Sequence, residues 1–184
     1  MELSEVVRRR RMVRRFDPAP LPAEVLDRIL HSATRAPSAG FSQGLDLLVL
    51  EGRDAVDGFW RATTDPRFGK PYSSATPPVI VLVLSDRQAY LDRYGEPDKA
   101  GLGMDAEDGW PVPYWDMDAA MAVMLMLLTA VDEGVGAWWF GVFHGAEALL
   151  AELGVPKGRR LAGAVALGRP AADDRPTGSA RTRP

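Results

Sequence analysis

Residues 119–131, Ala-Ala-Met-Ala-Val-Met-Leu-Met-Leu-Leu-Thr-Ala-Val, give a helix no polar face. Burying a large apolar side chain is worth about 1.5–3 kcal/mol, so such a helix must be covered on every side. Either its own domain engulfs it or a second subunit completes the cover. The run is shorter than the ~20 apolar residues a bilayer span needs and reads as a core helix. Asp116 or Asp118 can cap its start, and Gly134 or Gly136 can close it in a left-handed turn.

The chain that must wrap this helix has 184 residues and weighs 20.0 kDa. A chain of that size makes one domain that buries roughly 70% of its unfolded surface. Its 22 Lys and Arg against 25 Asp and Glu give a net charge of −3, which excludes a surface built to coat nucleic acid or an anionic membrane. Cysteine is absent, and with it disulfides, thiolate metal sites, iron–sulfur clusters and a Cys nucleophile. His31 and His144, the only imidazoles, have no metal-site spacing. The N-terminal MELSEVVRRRRMVRRF carries no apolar stretch after its basic residues, unlike a secretory leader. The expected address is the cytoplasm, with no membrane and no nucleic-acid partner.

Apolar spacing predicts helices over 3–11 and from Pro22 to Pro37, and Pro37 disfavours helical geometry at Ala36. Residues 45–51 and 79–84 are strand-length apolar runs, the second continuous enough to be buried on both faces. Between them the chain starts helical and becomes loop-like. Residues 137–142 and 161–167 read as further strands, with a short helix over 147–153 between them. The stretch 86–115 is polar and rich in Gly and Pro, too long for a plain connector. It is expected to be an excursion over a site, with a short helix near 88–93. Residues 1–168 form the expected single domain, and 169–184 an Arg- and Pro-rich tail without a core-forming pattern.

Three stretches could carry chemistry. Arg8, Arg9, Arg10, Arg11, Arg14 and Arg15 crowd the N-terminus. They could simply solvate a face or touch nucleic acid, but Met12 and Val13 interrupt them and need burial. Guanidinium forks set in a rigid frame suit a phosphate monoester through paired, charge-assisted hydrogen bonds. The second stretch, Ala36-Pro37-Ser38-Ala39-Gly40-Phe41-Ser42-Gln43-Gly44, combines small residues with Ser and Gln donors that could meet a polar ring edge. Alone, it could equally be a turn. In the third, Trp138-Trp139-Phe140-Gly141, the aromatics could be core packing or could shield a planar cofactor, with the Gly141 N–H open to a ring nitrogen.

In this order and spacing the stretches resemble the nitroreductase family of flavoproteins. Arg10-Arg11-Met12-Val13-Arg14-Arg15-Phe16 resembles the family's R-R-S-x-R-x-F, and Ala36-Pro37-Ser38-Ala39-Gly40-Phe41-Ser42-Gln43 its A-P-S-x-x-N-S-Q. Asp118 with the apolar helix resembles the central dimer helix, and Leu167-Gly168-Arg169-Pro170 the late G-Y-P element. The resemblance implies an α+β fold, a mixed central sheet wrapped by helices, and a homodimer with two FMN sites at its interface. Arg10, Arg11, Met12 and Arg14 would hold the phosphate and pyrimidine side of FMN. Pro37, Ser38, Ala39 and Gly40 would come from the other subunit, and Phe140 and Gly141 would face the flavin ring. Lys70 is a candidate for the flavin O2 edge, and Arg181 or Arg183 stands where the family has a late phosphate-binding Arg. The family commonly continues into an arm that wraps the partner; with Pro184 last, that arm is expected to be short or absent.

The implied activity passes electrons from NADH or NADPH through flavin N5 to a nitroaromatic, quinone or enone-like acceptor. No side-chain acid or base is required. Phe41, Trp110 and Tyr114 are the expected substrate contacts, with 86–115 as a lid. Met12 stands where the pattern has Ser, Phe41 where it has Asn, and Gly44-Leu45 where it has Pro-Trp. Two alternatives stay open: an FMN-sequestering or redox-sensing relative with little turnover, whose Phe41 blocks the flavin face, and flavin chemistry on the same fold that does not use nicotinamide.

Overall fold

The computed structural model describes residues 1–68 and 77–175. Its centre is β2 (Val79–Asp86), apolar through Leu84 and buried along all but its last residue. It lies between β1 (Leu45–Glu51) and β4 (Arg159–Gly168), and β3 (Gly136–Phe140) pairs with β4 at the far edge, giving the order β1-β2-β4-β3. All three ladders are antiparallel. Among the described residues the parallel component of the expected mixed sheet is a single bridge, Met12 to Ala137, because the N-terminal segment gives one paired step rather than a strand.

Side chains alternate along β2 and so divide the core in two. Val79, Val81 and Val83 join Val165 and Leu167 under α2 (Ala23–Ala33) and α5 (Tyr114–Asp132). Ile80 and Leu82 face the other way, with Ala164, against α3 (Arg53–Thr63) and α6 (Ala146–Glu152) through Val56, Phe59 and Leu149. A short α1 (Leu3–Arg9) lies against α5. Among the described residues the expected helices and strands are present, with ends moved by a few residues.

The main boundary difference is at α5, which starts at Tyr114 rather than 119. Pro113 precedes it without a side-chain cap, so neither Asp116 nor Asp118 caps the helix. Asp116 accepts from the Ser85 hydroxyl at 2.8 Å and from Arg160 at 2.7 Å. The far end closes as expected at Gly134, in the left-handed region at φ 69°. The amides of Gly134 and Val135 turn back to Val131 and Ala130 at 3.1 and 2.7 Å. With 19 residues the helix is long and apolar enough to cross a membrane, yet Ala119, Ala122, Val123, Met126, Leu127 and Ala130 fill the domain core. Its outer face leaves Met117, Met121 and Met124 exposed, beside the exposed Leu3 and Val7 of α1. Its lack of a polar face thus has two causes, one side in the core and one side open.

The excursion contains α4 (Arg87–Tyr94), whose start is capped by Asp86 accepting from the Gln88 amide at 3.0 Å. Further on, Trp110 packs against Tyr90, Tyr94 and Trp115. Its indole donates to the Met104 carbonyl at 2.7 Å, which pins the excursion to the body. Residues 169–175 are also tied down: the Asp17 amide donates to the Arg169 carbonyl and the Ala171 amide to the Arg15 carbonyl, at 2.9 and 3.0 Å. The start of the low-complexity tail therefore gains backbone partners that its composition does not announce.

Candidate functional site

The arginine run is sorted by its neighbours. Arg8 pairs with Glu5 at 2.7 Å, Arg9 shares the same carboxylate, and Arg15 meets Asp173 at 2.8 Å. Arg11 is held by Asp174, whose side chain is 1% exposed. The other Asp174 oxygen accepts from the amides of Arg14 and Arg15 at 3.1 and 3.0 Å. Burial pushes this carboxyl up, but the hydrogen bonds from Arg11 and the two amides outweigh it and hold the group below its usual range. Arg10 and Arg14 are half-buried and, among the described residues, have no carboxylate partner. The Arg14 guanidinium lies 5.7 Å above the Trp138 ring, a placement that restricts where it can point.

This arm docks on the outer edge of β3, where the Val13 amide donates to the Ala137 carbonyl at 2.9 Å. Backbone groups alternate sides along a strand, so those of Trp139 share the outer edge with Ala137, and one more step carries Gly141 to it. Gly141 is exposed and makes no backbone hydrogen bond among the described residues. A Cβ there would stand 2.6 Å from the Phe143 ring, itself 99% exposed. Phe140 stacks on Trp138 with centroids 4.4 Å apart and on Trp60 at 5.5 Å. Among the described residues the buried Trp60 indole nitrogen has no partner. A flat aromatic bank therefore flanks an open sheet edge with free cations at one end.

The loop before β1 is held differently. Asp118 is buried and takes the Ala39 amide at 2.9 Å and the Tyr90 hydroxyl at 2.8 Å on one oxygen. Burial, and then this hydrogen bond, raises the Tyr90 pKa far above its usual value, so the phenol stays a donor. Arg93 donates to the Gly40 carbonyl at 2.9 Å. The Ser38 hydroxyl accepts from the Gln43 amide at 3.0 Å. Gly40, Phe41 and Gln43 all lie in the left-handed region, at φ 60°, 59° and 53°. For a bulky residue such as Phe41 this costs about 1–2 kcal/mol, and the residue is 75% exposed. Gly44 admits no side chain, since a Cβ would meet the Asp86 carbonyl at 2.5 Å and the Tyr90 ring at 2.6 Å. A cavity of about 240 Å³ opens beside Pro37, Ser38, Gln43, Tyr90 and Asp118.

Arm and loop do not meet within one chain. The loop leads into Leu45, opposite Ser85 and, through it, Arg160 at the start of β4. The arm bridges to Ala137 and Pro170, beside the end of β4 and at the opposite edge of the sheet. At about 3.3 Å per residue the ten residues of β4 separate them by roughly 30 Å along the sheet. The structure thus groups Arg10, Met12, Arg14, Phe140 and Gly141 in one place and Pro37, Ser38, Ala39, Gly40 and Phe41 in another. Trp110 is 8% exposed and half-buried Tyr114 leans on it, so both sit in the pinned excursion. Lys70, Arg181 and Arg183 lie outside the described residues. The residues that organise the site and were not singled out from sequence are Tyr90, Arg93 and Asp174. Their role depends on long-range partners with no local sequence signal.

These features define an α+β class with a basic arm on a free sheet edge and a gripped polar loop at the other end. The chain belongs to the nitroreductase family, whose model matches residues 7–169. It is 30% identical to a Thermus thermophilus protein named NADH dehydrogenase, over 92% of this chain and 87% of the relative. It is 27% identical to an Archaeoglobus fulgidus protein provisionally named NADH dehydrogenase/NAD(P)H nitroreductase, over 92% and 86%. Among solved structures, a Desulfovibrio desulfuricans protein, provisionally a nitroreductase and in complex with FMN, superposes with a TM-score of 0.72 at 25% identity, over 100% and 96% of the two chains. A Bacteroides fragilis nitroreductase with bound FMN gives 0.71 at 22%, over 97% and 93%.

Proposed function

We propose that this chain is an FMN-dependent oxidoreductase, working as a homodimer, that carries electrons from NADH or NADPH to a nitroaromatic, quinone or enone-like acceptor. The observation that carries this reading is the sorting of the arginines. Four of the six are neutralised by carboxylates, and the two left over, Arg10 and Arg14, stand at the head of an open strand edge that runs to Gly141. The residues present fit a flavin mononucleotide. Two free guanidiniums match a phosphate dianion. From the Ala137 bridge to Gly141 is about 13 Å at the usual rise per residue, a span that suits an extended mononucleotide. The free Gly141 N–H would donate to a ring nitrogen, and Phe140 would present an apolar wall. When bound, FMN would supply the two-electron chemistry, accepting at N5 from nicotinamide and passing electrons on to the acceptor.

The chain's own residues bind and orient. Arg10 and Arg14 hold the anionic end, and the Pro37–Gly40 backbone of the second copy closes the other side. The arm-to-loop separation within one chain favours this sharing, and the exposed Met117, Met121 and Met124 stripe offers the two copies a common apolar face. Phe41, exposed on a strained backbone, would reach into the partner's cleft. It also favours a second reading, in which FMN is bound but the ring slows nicotinamide entry. Purification followed by a visible spectrum with and without NADPH tests the proposal. A yellow protein with one FMN per subunit, bleached by NADPH, is expected; a colourless protein that takes up no FMN would overturn it. Bound FMN that NADPH does not bleach favours the second reading.

A further inference from the structure

Two peptide groups of the 38–43 loop, joining Ser38 to Ala39 and Gly40 to Phe41, are gripped by side chains from different helices. Asp118, in the second turn of α5, accepts the Ala39 N–H at 2.9 Å, and Arg93 of α4 donates to the Gly40 carbonyl at 2.9 Å. Both grips are themselves braced. The Tyr90 hydroxyl donates to the Asp118 oxygen that holds Ala39, at 2.8 Å. Asp98 takes two Arg93 nitrogens, each at 2.7 Å. The loop needs them because Phe41 and Gln43 are non-glycine residues in left-handed geometry, which relaxes unless the surroundings impose it. A buried carboxylate is a costly way to bond one amide, since a water-exposed loop could satisfy the same N–H for nothing.

We propose that Asp118, braced by Tyr90, is a positioning residue that sets the Pro37–Gly40 backbone for the cofactor held by the partner subunit. This rests on the FMN reading above. The excursion 86–115 then has a second role, because through Tyr90 and Arg93 it shapes the floor of the site as well as any cover over it. Asp116 is an internal control. It lies on the same helix and is also hydrogen-bonded, but to the side chains of Ser85 and Arg160 rather than to the loop backbone.

The test is titration of the apo forms of full-length variants with FMN, read by quenching of flavin fluorescence and by the circular dichroism of bound flavin. Asp118→Ala is expected to weaken FMN binding tenfold or more and to change the dichroism. Asp118→Asn keeps an acceptor oxygen for both donors and restores most of the affinity. Tyr90→Phe removes only the brace, so a loss of about threefold is expected; this variant decides the matter if Asp118→Ala does not fold. Asp116→Ala leaves FMN affinity and dichroism as in the parent. Equal FMN binding by the parent, Asp118→Ala and Tyr90→Phe would overturn the positioning role while the FMN reading stands. A parent protein that binds no FMN would overturn both.

Discussion

The arm at residues 10–16 and the loop at 36–44 are built by opposite means. The arm is dense in charge and is held by its backbone, through Ala137, Ala171 and the buried Asp174. The loop carries no charged residue and is held by side chains from α4 and α5. In the arm the chemistry lies in what stays unpaired, since two of its four guanidiniums, Arg11 and Arg15, are already spent on carboxylates. In the loop it lies in the shape, since three left-handed residues are forced into place. A polybasic run is therefore judged by its leftover cations, and a Gly/Ser loop by what grips it.

The largest effect should come from keeping the two regions apart. If they meet only across two copies, an Asp at the exposed positions Met121 and Met124 places unpaired charge twice in a symmetric apolar face. We expect this double substitution to dissociate the protein at micromolar concentration and to abolish FMN retention, as read by sedimentation and absorbance. A dimer that still holds FMN would place the interface elsewhere. Leu127→Asp is a different experiment, because Leu127 is 3% exposed in its own core, and it should unfold the chain.

Asp174→Ala attacks the arm alone. It leaves the Arg14 and Arg15 amides unpaired, at about 1–3 kcal/mol each, while freeing the half-exposed Arg11 adds little, so a loss of about 3 kcal/mol is expected in urea unfolding. The same carboxyl predicts an acid limb. Its folded pKa is lowered, so its stabilisation is complete above the unfolded value of 3.8 and is lost as pH falls below it. Below about pH 4, unfolding of Asp174→Asn should depend less on pH than unfolding of the parent. An identical acid limb in both would contradict the assignment.

Much of the scaffold was legible in sequence because burial writes itself into composition. The 79–84 run is β2, and 45–51 is β1. The start of α5 was not legible, because Asp116 and Asp118 interrupt the apolar pattern and their partners Ser85, Arg160, Tyr90 and Ala39 are distant in sequence. Asp174 was hidden in a tail whose composition looks unstructured, and the grip on Gly40 needs Arg93, more than fifty residues away. The motif positions were readable as chemistry, but which arginines are free was not, because that depends on Glu5, Asp173 and Asp174.

The smallest expected effect is at the loop. Phe41→Asn puts a residue that tolerates left-handed geometry where the Phe ring is strained. A gain of about 1 kcal/mol in unfolding free energy is expected, with NADPH oxidation by small nitro compounds raised and FMN affinity nearly unchanged. Loss of FMN instead would make Phe41 a cofactor-packing residue.

The central claim is that unpaired arginines, and not basic charge in general, hold the cofactor. FMN titration of apoprotein carrying Arg10→Ala or Arg14→Ala, beside Arg8→Ala, tests it most directly. With each charge-assisted bond worth about 1.5–3 kcal/mol, each of the first two should weaken binding by about tenfold to a hundredfold. Arg8→Ala, which removes a cation already paired with Glu5 at 2.7 Å, should leave it within about twofold, since exposed pairs contribute little. Unchanged affinity in both Arg10→Ala and Arg14→Ala, or an equal loss in all three variants, would contradict the account.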